Sequence, residues 1–311
     1  MNYFISCDWG TSSFRLRLID AATGNVLGET FSTQGISVTY SLWQEHQNTE
    51  RFLFYSNYLS SQIARLEEKF GNSLRGVTLV VSGMASSAIG MKELAYRQIP
   101  FIIQAQNLAV HIEQATDLFP HRIIIISGAC SENDVMRGEE TILAGCGIDR
   151  SYQKKLFIFP GTHSKHIIVE DGSLTGIKTY MAGELFGLLS SKSILSGSVE
   201  NHDAVLSSNA FLKGVEDALA YSFLNSIFHV RTNDLFKKLD KKNNYAYLSG
   251  LLIGEELKSI QADAIDITIV SSGNLAVLYE AALSYLQHAF SIINADKALI
   301  KTQTIIISHY Q

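Results

Sequence analysis

Proline is nearly missing from this chain, with three residues in 311. No Pro-rich or low-complexity stretch occurs, so no long disordered linker is indicated. Cysteine is equally scarce: Cys7, Cys130 and Cys146 make an odd number without C-x-x-C spacing. They define neither a disulfide framework nor a zinc site, and they fit a reducing cytosol. Charge is sparse as well, at 18% of residues with a net charge of −5 and a pI near 6.0. A protein that binds a phosphate backbone normally shows a basic surface, so no nucleic-acid partner is expected. No apolar run reaches the roughly 18 residues that span a bilayer. Residues 1–20 carry Asp8 but no basic n-region or cleavage pattern. The expectation is a cytoplasmic protein with no membrane partner. What is present is a hydrophobic content of 46% in a chain longer than one core usually serves, which predicts two domains.

The stretch from Ile5 to Ile19 reads as strand, tight turn, strand. Its turn, Gly10-Thr11-Ser12-Ser13, is small and polar. Gly10 lets the backbone bend and approach a ligand, and Thr11, Ser12 and Ser13 offer hydroxyl and backbone N–H groups to phosphate oxygens. Asp8, ending the first strand, is a hard oxygen ligand suited to Mg²⁺. A carboxylate beside a phosphate cradle needs such a cation to offset repulsion. The same residue types also make ordinary hairpin turns.

Further along, the turn Ala22-Thr23-Gly24 predicts a third antiparallel strand from Asn25 to Thr30. Apolar spacing at Phe52, Tyr55, Leu59, Ile63, Leu66 and Phe70 predicts a helix over 49–70. Strands are expected at Val77–Val81 and Arg122–Ile126, followed by a loop that feeds a helix with Glu139 and Glu140 in its first turn. Near residue 150 the plan restarts: strand Lys155–Phe159, turn Pro160-Gly161-Thr162-His163-Ser164-Lys165, strand His166–Glu170, the hairpin turn Asp171-Gly172, and strand Gly176–Met181. Helices are expected over 183–196, 208–230 and 246–261. A strand at 265–271 then leads into Ser272-Gly273-Asn274 and a helix over 275–287, and Thr304–Ser308 closes as a last strand. Two α/β halves, 1–150 and 151–311, each open with a hairpin meander and a glycine-hydroxyl turn, which suggests a ligand cleft between them.

This pairing resembles the hexokinase–actin superfamily of ATP-binding proteins. More closely, the chain resembles the 2-dehydro-3-deoxygalactonokinase family. The matching stretches, in the family's order, are Asp8-Trp9-Gly10-Thr11-Ser12, Gly83-Met84, Val135 to Thr141, Pro160 to Lys165, Gly183-Glu184-Leu185 and Leu248 to Gly254. The chain departs from the family in a shorter loop from Ser127 to Asp134, in Ser127-Gly128 where Pro-Gly is common, and in Ser164 where Cys is common. The resemblance implies two similar α/β domains of the actin-like ATPase (ribonuclease H-like) fold with an interdomain cleft. It implies ATP and Mg²⁺ as cofactors, a small sugar-acid substrate, and phosphate transfer to the terminal hydroxyl of a 2-keto-3-deoxy sugar acid. A homodimer is compatible with it.

Phosphoryl transfer needs positioning and charge neutralisation more than covalent chemistry. The first turn would hold the terminal phosphates with Asp8 on Mg²⁺. Gly161 and Thr162 would take the inner phosphates, with Lys165 as an added cation. Glu139 and Glu140 are the joint candidates for the base that accepts the substrate's hydroxyl proton, although carboxylates in a first helical turn are also favoured by the helix dipole. Arg137, then Arg15, are the candidates for the substrate carboxylate. Gly83 and Met84 would line the sugar pocket by the resemblance, and Ser272, Gly273 and Asn274 suit the adenosine side or plain N-capping. His163 and His166, three apart on a turn and strand, make no zinc site. The Glu139/Glu140 pair also resembles that of exopolyphosphatases, where a glutamate activates water. A phosphohydrolase is therefore the alternative enzyme, and a non-catalytic nucleotide-binding regulator is a third reading. No G-x-G-x-x-G leads into a helix, which disfavours a Rossmann dehydrogenase.

Overall fold

The computed structural model describes residues 3–46, 49–150, 153–201, 209–260 and 266–310. The expected helix limits at 208 and 261 and the strand start at 265 lie outside the described residues. Two compact units emerge: Met1–Arg150 with Gly172–Thr175 and Ala295–Gln311, and Ser151–Asp171 with Gly176–Asn294. The break at 150 is where the repeated plan restarts. The last 17 residues, however, belong to the first unit and not the second.

In the first unit, β1 (Tyr3–Trp9), β2 (Phe14–Asp20) and β3 (Val26–Ser32) form the expected antiparallel meander, with Asp8 opposite Arg15 and Arg17 opposite Glu29. Alternate residues point to opposite faces. Ile5, Cys7, Trp9, Leu16 and Leu18 enter the core, while Ser6, Asp8, Arg15 and Arg17 take the other face. Helices α1 (Ile36–Glu45) and α2 (Arg51–Phe70) follow. Along α2, Tyr55, Leu59, Ile63 and Leu66 are buried in that core at helical spacing. The Glu50 carboxylate caps α2 by accepting the N–H groups of Phe52 and Leu53, both at 3.1 Å, worth about 1 kcal/mol.

The chain then crosses to β4 (Leu79–Gly83), parallel to β1 with Ser82 beside Asp8. Short strands β5 (Arg97–Gln98), β6 (Phe101–Ile102) and β7 (Val110–Glu113) lead to β8 (Ile123–Ile126), a fully buried isoleucine run. β9 (Ala129–Cys130) and β10 (Val135–Met136) form a tight hairpin that delivers the chain to α3 (Glu139–Gly145). The main sheet runs β3-β2-β1-β4-β8-β7.

The second unit repeats this wiring. β11 (Lys155–Phe159), β12 (Ser164–Glu170) and β13 (Ser173–Tyr180) form the second meander, and its turn at Asp171 and Gly172 has positive φ at both residues, as a two-residue hairpin requires. Ser173 and Leu174 pair with β6. After α4 (Ala182–Lys192) come α5 (Asn209–Ala220), α6 (Phe223–Leu235) and α7 (Lys241–Leu257), then β14 (Asp266–Val270), α8 (Leu275–Tyr285) and β15 (Phe290–Ile293). The stretch expected as one helix over 208–230 is two, broken at Tyr221-Ser222. Helices α5 and α7 touch backbone to backbone: a Cβ on Gly250 would lie 2.0 Å from the Phe211 carbonyl. That close approach explains the glycines of the Leu248 to Gly254 stretch as packing residues. The strand order is β13-β12-β11-β14-β15. In both units the first strand is antiparallel to the second and parallel to the fourth, the arrangement of an actin-like (ribonuclease H-like) α/β fold.

One element reverses its expected type. Thr304–Ser308 is the end of helix α9 (Ala295–Tyr310), not a strand. Its β-branched run favours extended chain locally, but Ala298, Leu299, Thr302, Gln303, Ile306 and Ile307 are buried at three- and four-residue spacing, and that packing decides. Among the described residues, no helix is long and apolar enough to cross a membrane.

Candidate active site

In the first unit the site is built around the end of β1. Gly83, at the end of β4, has φ 85° and a Cβ there would lie 2.7 Å from the Trp9 carbonyl. Gly138, just before α3, has φ 112° and a Cβ there would sit 3.2 Å from the Gly83 Cα. Only glycine meets both demands comfortably. The two backbones therefore pass in contact beside Asp8 and bring the first turn of α3 to the end of β1.

That approach gathers charge. Burial raises the Asp8 carboxyl above the usual carboxylate range; the nearby Arg15 and Arg17 guanidinium groups pull it down, and Asp296 and Glu139 push it up. Arg15 Nη1 donates to Asp296 Oδ1 at 3.0 Å. Arg17, 4% exposed, reaches Asp296 at 3.0 Å through Nη2 and Glu29 at 2.6 Å through Nε. Asp296 opens α9, so the C-terminal helix is anchored to the arginine pair next to Asp8. Arg15 was expected on the substrate; in the structure its guanidinium is paired with Asp296.

The two glutamates separate cleanly. Glu140 is 1% exposed. Its carboxyl accepts the Gly138 N–H at 2.8 Å and the Thr141 hydroxyl at 2.8 Å. Burial, then the Glu139 charge, pushes Glu140 up to about 7. Glu139 is only half-buried, accepts the Arg137 N–H at 3.0 Å, and shares its field with Asp8.

Arg137, the other residue expected on the substrate carboxylate, makes several bonds within the protein. Its Nη1 donates to the Ser86 carbonyl at 2.5 Å and hydroxyl at 2.8 Å, and its Nη2 to the Leu94 carbonyl at 3.1 Å. The guanidinium stacks 3.9 Å from the Tyr96 ring centroid. These contacts fix the guanidinium against Ser86, Leu94 and Tyr96, while its Nε makes no hydrogen bond. The first turn is more open: Thr11, Ser12 and Ser13 are exposed. The carbonyls of Gly10 and Thr11 accept the Ile36 and Ser37 N–H groups at 2.9 and 3.1 Å, which fixes the turn on α1.

The second unit offers a different surface. Gly161 has open space where a side chain would be, and Thr162 and His163 are exposed. The Thr162 carbonyl accepts the Glu184 N–H at 3.0 Å, and His163 bonds the Glu184 carboxylate at 2.5 Å. The turn therefore rests on the first turn of α4. Lys165 is 7% exposed with Nζ on the His163 carbonyl at 3.2 Å. A cavity of about 180 Å³ opens beside Gly161, lined by Ala182, Phe186, Tyr245, Leu252, Leu275 and Tyr279 among others. Ser272, Gly273 and Asn274 are exposed and lead into Leu275 of that lining. Asn274 makes no side-chain capping bond to α8.

No group of three metal-ligating side chains occurs among the described residues. Mg²⁺ does not require one: it is commonly held by one or two carboxylates together with phosphate oxygens and water. Asp8, at the strand end with burial opposing its ionised form, Arg15 and Arg17 favouring it, and Asp296 and Glu139 opposing it, is the carboxylate that fits such an ion.

Sequence reasoning missed Arg17, Asp296, Glu184, Glu256 and Tyr279. Glu184 lies inside a stretch that carried the family resemblance, and Glu256 is the second acid of the Glu255-Glu256 pair that follows Leu251-Leu252-Ile253-Gly254. The pairing of Asp296 with Arg15, 281 positions away, left no local signal.

The two units share the actin-like ATPase fold, one with a carboxylate-rich strand end and one with a glycine turn beside an apolar cavity. Residues 8–306 match the model of the 2-keto-3-deoxy-galactonokinase family. A Rhizobium meliloti protein named "Probable 2-dehydro-3-deoxygalactonokinase DgoK1" is 31% identical over 307 residues, covering 96% of this chain and 94% of its own length. The Escherichia coli 2-dehydro-3-deoxygalactonokinase is 30% identical over 228 residues, covering 71% and 75%. The crystal structure of a Sinorhizobium meliloti protein assigned to the same activity superposes with a TM-score of 0.83 at 28% identity, covering 99% of this chain and 96% of that one. The chain belongs to the 2-keto-3-deoxy-galactonokinase family, and it is a sugar-acid kinase.

Proposed function

We propose that this kinase transfers the terminal phosphate of ATP to the 6-hydroxyl of 2-dehydro-3-deoxygalactonate, or of a closely related 2-keto-3-deoxy sugar acid. The observation that carries the reading is the contact of Gly83 with Gly138, which sets Glu139 in the electrostatic field of Asp8. One carboxylate is then available for a metal and another for a proton. Asp8 would hold Mg²⁺, which supplies charge neutralisation to the phosphates. Glu139 is the base that takes the proton of the substrate hydroxyl, since a base must reach its proton directly or through one water. Glu140 is buried and bonded to Gly138 and Thr141, so it sets the geometry of the segment carrying Glu139. Gly10 to Ser13 would hold the terminal phosphates, and Gly161 and Thr162 the inner ones. The apolar cavity with Leu275 and Tyr279 suits the adenine ring, and Ser272 to Asn274 the ribose side. Arg137 acts by shaping the substrate wall through Ser86, Leu94 and Tyr96.

The test is ADP release from Mg²⁺-ATP against 2-keto-3-deoxygalactonate, 2-keto-3-deoxygluconate, their parent aldonates and a control without sugar. Release that depends on one keto-deoxy acid supports the kinase and identifies the acceptor. Equal release in every well, the control included, would replace it with a phosphohydrolase that activates water. No release in any well would overturn the proposed acceptor.

A further inference from the structure

Behind the second turn lies a buried polar cluster. Ser164, His166, Glu256 and Tyr279 are each 3% exposed or less. Glu256 Oε1 accepts the Ser164 hydroxyl at 2.7 Å and lies 2.9 Å from His166 Nε2, and Oε2 accepts the Tyr279 hydroxyl at 2.7 Å. The Tyr279 hydroxyl also lies 3.2 Å from Ser164 Oγ. A carboxylate buried this deeply costs stability unless several donors converge on it. Here three do, and they come from different elements: Ser164 and His166 from β12, Tyr279 from α8, while Glu256 itself is on α7.

Each end of the cluster touches the proposed nucleotide site. Ser164 follows the turn Gly161-Thr162-His163 directly. Tyr279 lines the apolar cavity, as do Leu252 and Ile253 on the same helix as Glu256. Anchorage of α7 alone would need only Glu256 and one partner on β12. The additional bond from Tyr279 joins the cavity wall to the same carboxylate that holds the base of the turn.

We propose that Glu256 is the positioning residue of the nucleotide site: it fixes the phosphate turn and the adenine cavity in one register through Ser164 and Tyr279. This rests on the assignment of turn and cavity to ATP made above. Glu256→Gln places an amide donor where hydroxyl and imidazole donors converge, and Tyr279→Phe removes one bond while keeping the ring. Loss of one such bond corresponds to roughly 2- to 12-fold in affinity.

The experiment is calorimetric titration of Glu256→Gln, Tyr279→Phe and the double variant with Mg²⁺ and a non-hydrolysable ATP analogue, alongside KM values for ATP and for the sugar acid. The expected result is an analogue Kd raised about tenfold in Glu256→Gln and about threefold in Tyr279→Phe, with the double variant no weaker than Glu256→Gln alone. The KM for the sugar acid stays unchanged. Unchanged analogue Kd with a lowered Tm would overturn the proposal, since a purely structural cluster gives that pattern. If Glu256→Gln does not fold, Tyr279→Phe and Ser164→Ala carry the same comparison.

Ala182→Trp, which fills the cavity, separates the two levels of inference. If it weakens analogue binding while the Glu256 and Tyr279 variants do not, the positioning role falls and the nucleotide assignment stands. If it leaves binding unchanged, the cavity is not the nucleotide site and both fall.

Discussion

The two glycine turns follow equivalent strands in the same wiring, yet they are backed by opposite chemistry. Behind Gly10 to Ser13 stands an ionic group: Asp8, Arg15, Arg17, Glu29 and Asp296, partly open to solvent. Behind Gly161 to His163 stands a closed cluster around one carboxylate, with an apolar cavity at its side. One scaffold thus supports a region whose fields can be tuned by neighbouring charges and a region whose shape is set by buried hydrogen bonds. Under the proposed function the first suits the charge handling of phosphoryl transfer and the second the recognition of an uncharged ring. The two units share strand wiring and differ in the side chains behind each turn.

The largest effect that would break this contrast is loss of the proposed base. Glu139→Gln should lower kcat by about 10²- to 10⁴-fold while leaving the Kd of a non-hydrolysable ATP analogue within a factor of about two. Rapid-quench or coupled-assay kinetics, paired with calorimetry, measure both. Full activity in this variant would remove Glu139 from the chemistry. A parallel loss of nucleotide affinity would show that the two regions are not separable as described.

Next is the ionic group itself. Arg17 is buried and bridges Glu29 and Asp296, so Arg17→Met removes the buried one of the two guanidinium groups that these acids share, leaving Arg15 on Asp296 at 3.0 Å. Breaking a buried pair typically costs 3–5 kcal/mol; because Glu29 and Asp296 are partly exposed, about 3 kcal/mol is expected. Urea denaturation measures it. An unchanged midpoint would mean that the Arg17 bridge adds nothing to the anchoring that Arg15 and the apolar contacts give α9.

The pH dependence sharpens the contrast between the two glutamates. Glu140 keeps its proton in the folded protein up to about pH 7, against an ordinary value of 4.5. In the unfolded chain it ionises near the ordinary value, so folding takes up a proton between these pH values. Stability contributed by this group therefore falls as pH rises from 4.5 toward 7, and the penalty above 7 is about 3 kcal/mol. Glu140→Gln removes the titration while its amide oxygen still accepts the Gly138 N–H. Its Tm should match the parent near pH 4.5 and exceed it by several degrees at pH 8. A Tm difference that does not change with pH would show that Glu140 is ionised throughout.

Much of the fold could be read in advance because its signals are local. Alternation and turn chemistry located both meanders, and Asp171-Gly172 adopts the positive φ angles that its residue types favour. Helix α9 could not be read this way. The run Thr304 to Ser308 is β-prone in isolation and becomes helical because Thr302, Gln303, Ile306 and Ile307 are buried at helical spacing. The glutamate pair was visible, but its division was not, since burial of Glu140 depends on the Gly83–Gly138 contact across 55 positions. Arg137 illustrates the converse. An arginine beside an acid suggests a substrate anchor, and its bonds to Ser86 and Leu94, distant in sequence, could not be read beforehand.

The smallest effect concerns Asn274, where two explanations fitted the sequence equally. An N-cap asparagine replaced by alanine typically costs 0.5–2 kcal/mol, but the Asn274 side chain makes no capping bond. Asn274→Ala should therefore leave the Tm within about one degree of the parent, a loss below the usual cap range. If the side chain instead meets the ribose, the KM for ATP rises about threefold, as one lost hydrogen bond allows. A lowered Tm with unchanged KM would return Asn274 to capping and narrow the nucleotide surface to the cavity and the Gly161 turn. A raised KM at constant Tm would extend that surface along the start of α8, where exposure, and not burial, marks the residues that a ligand can use.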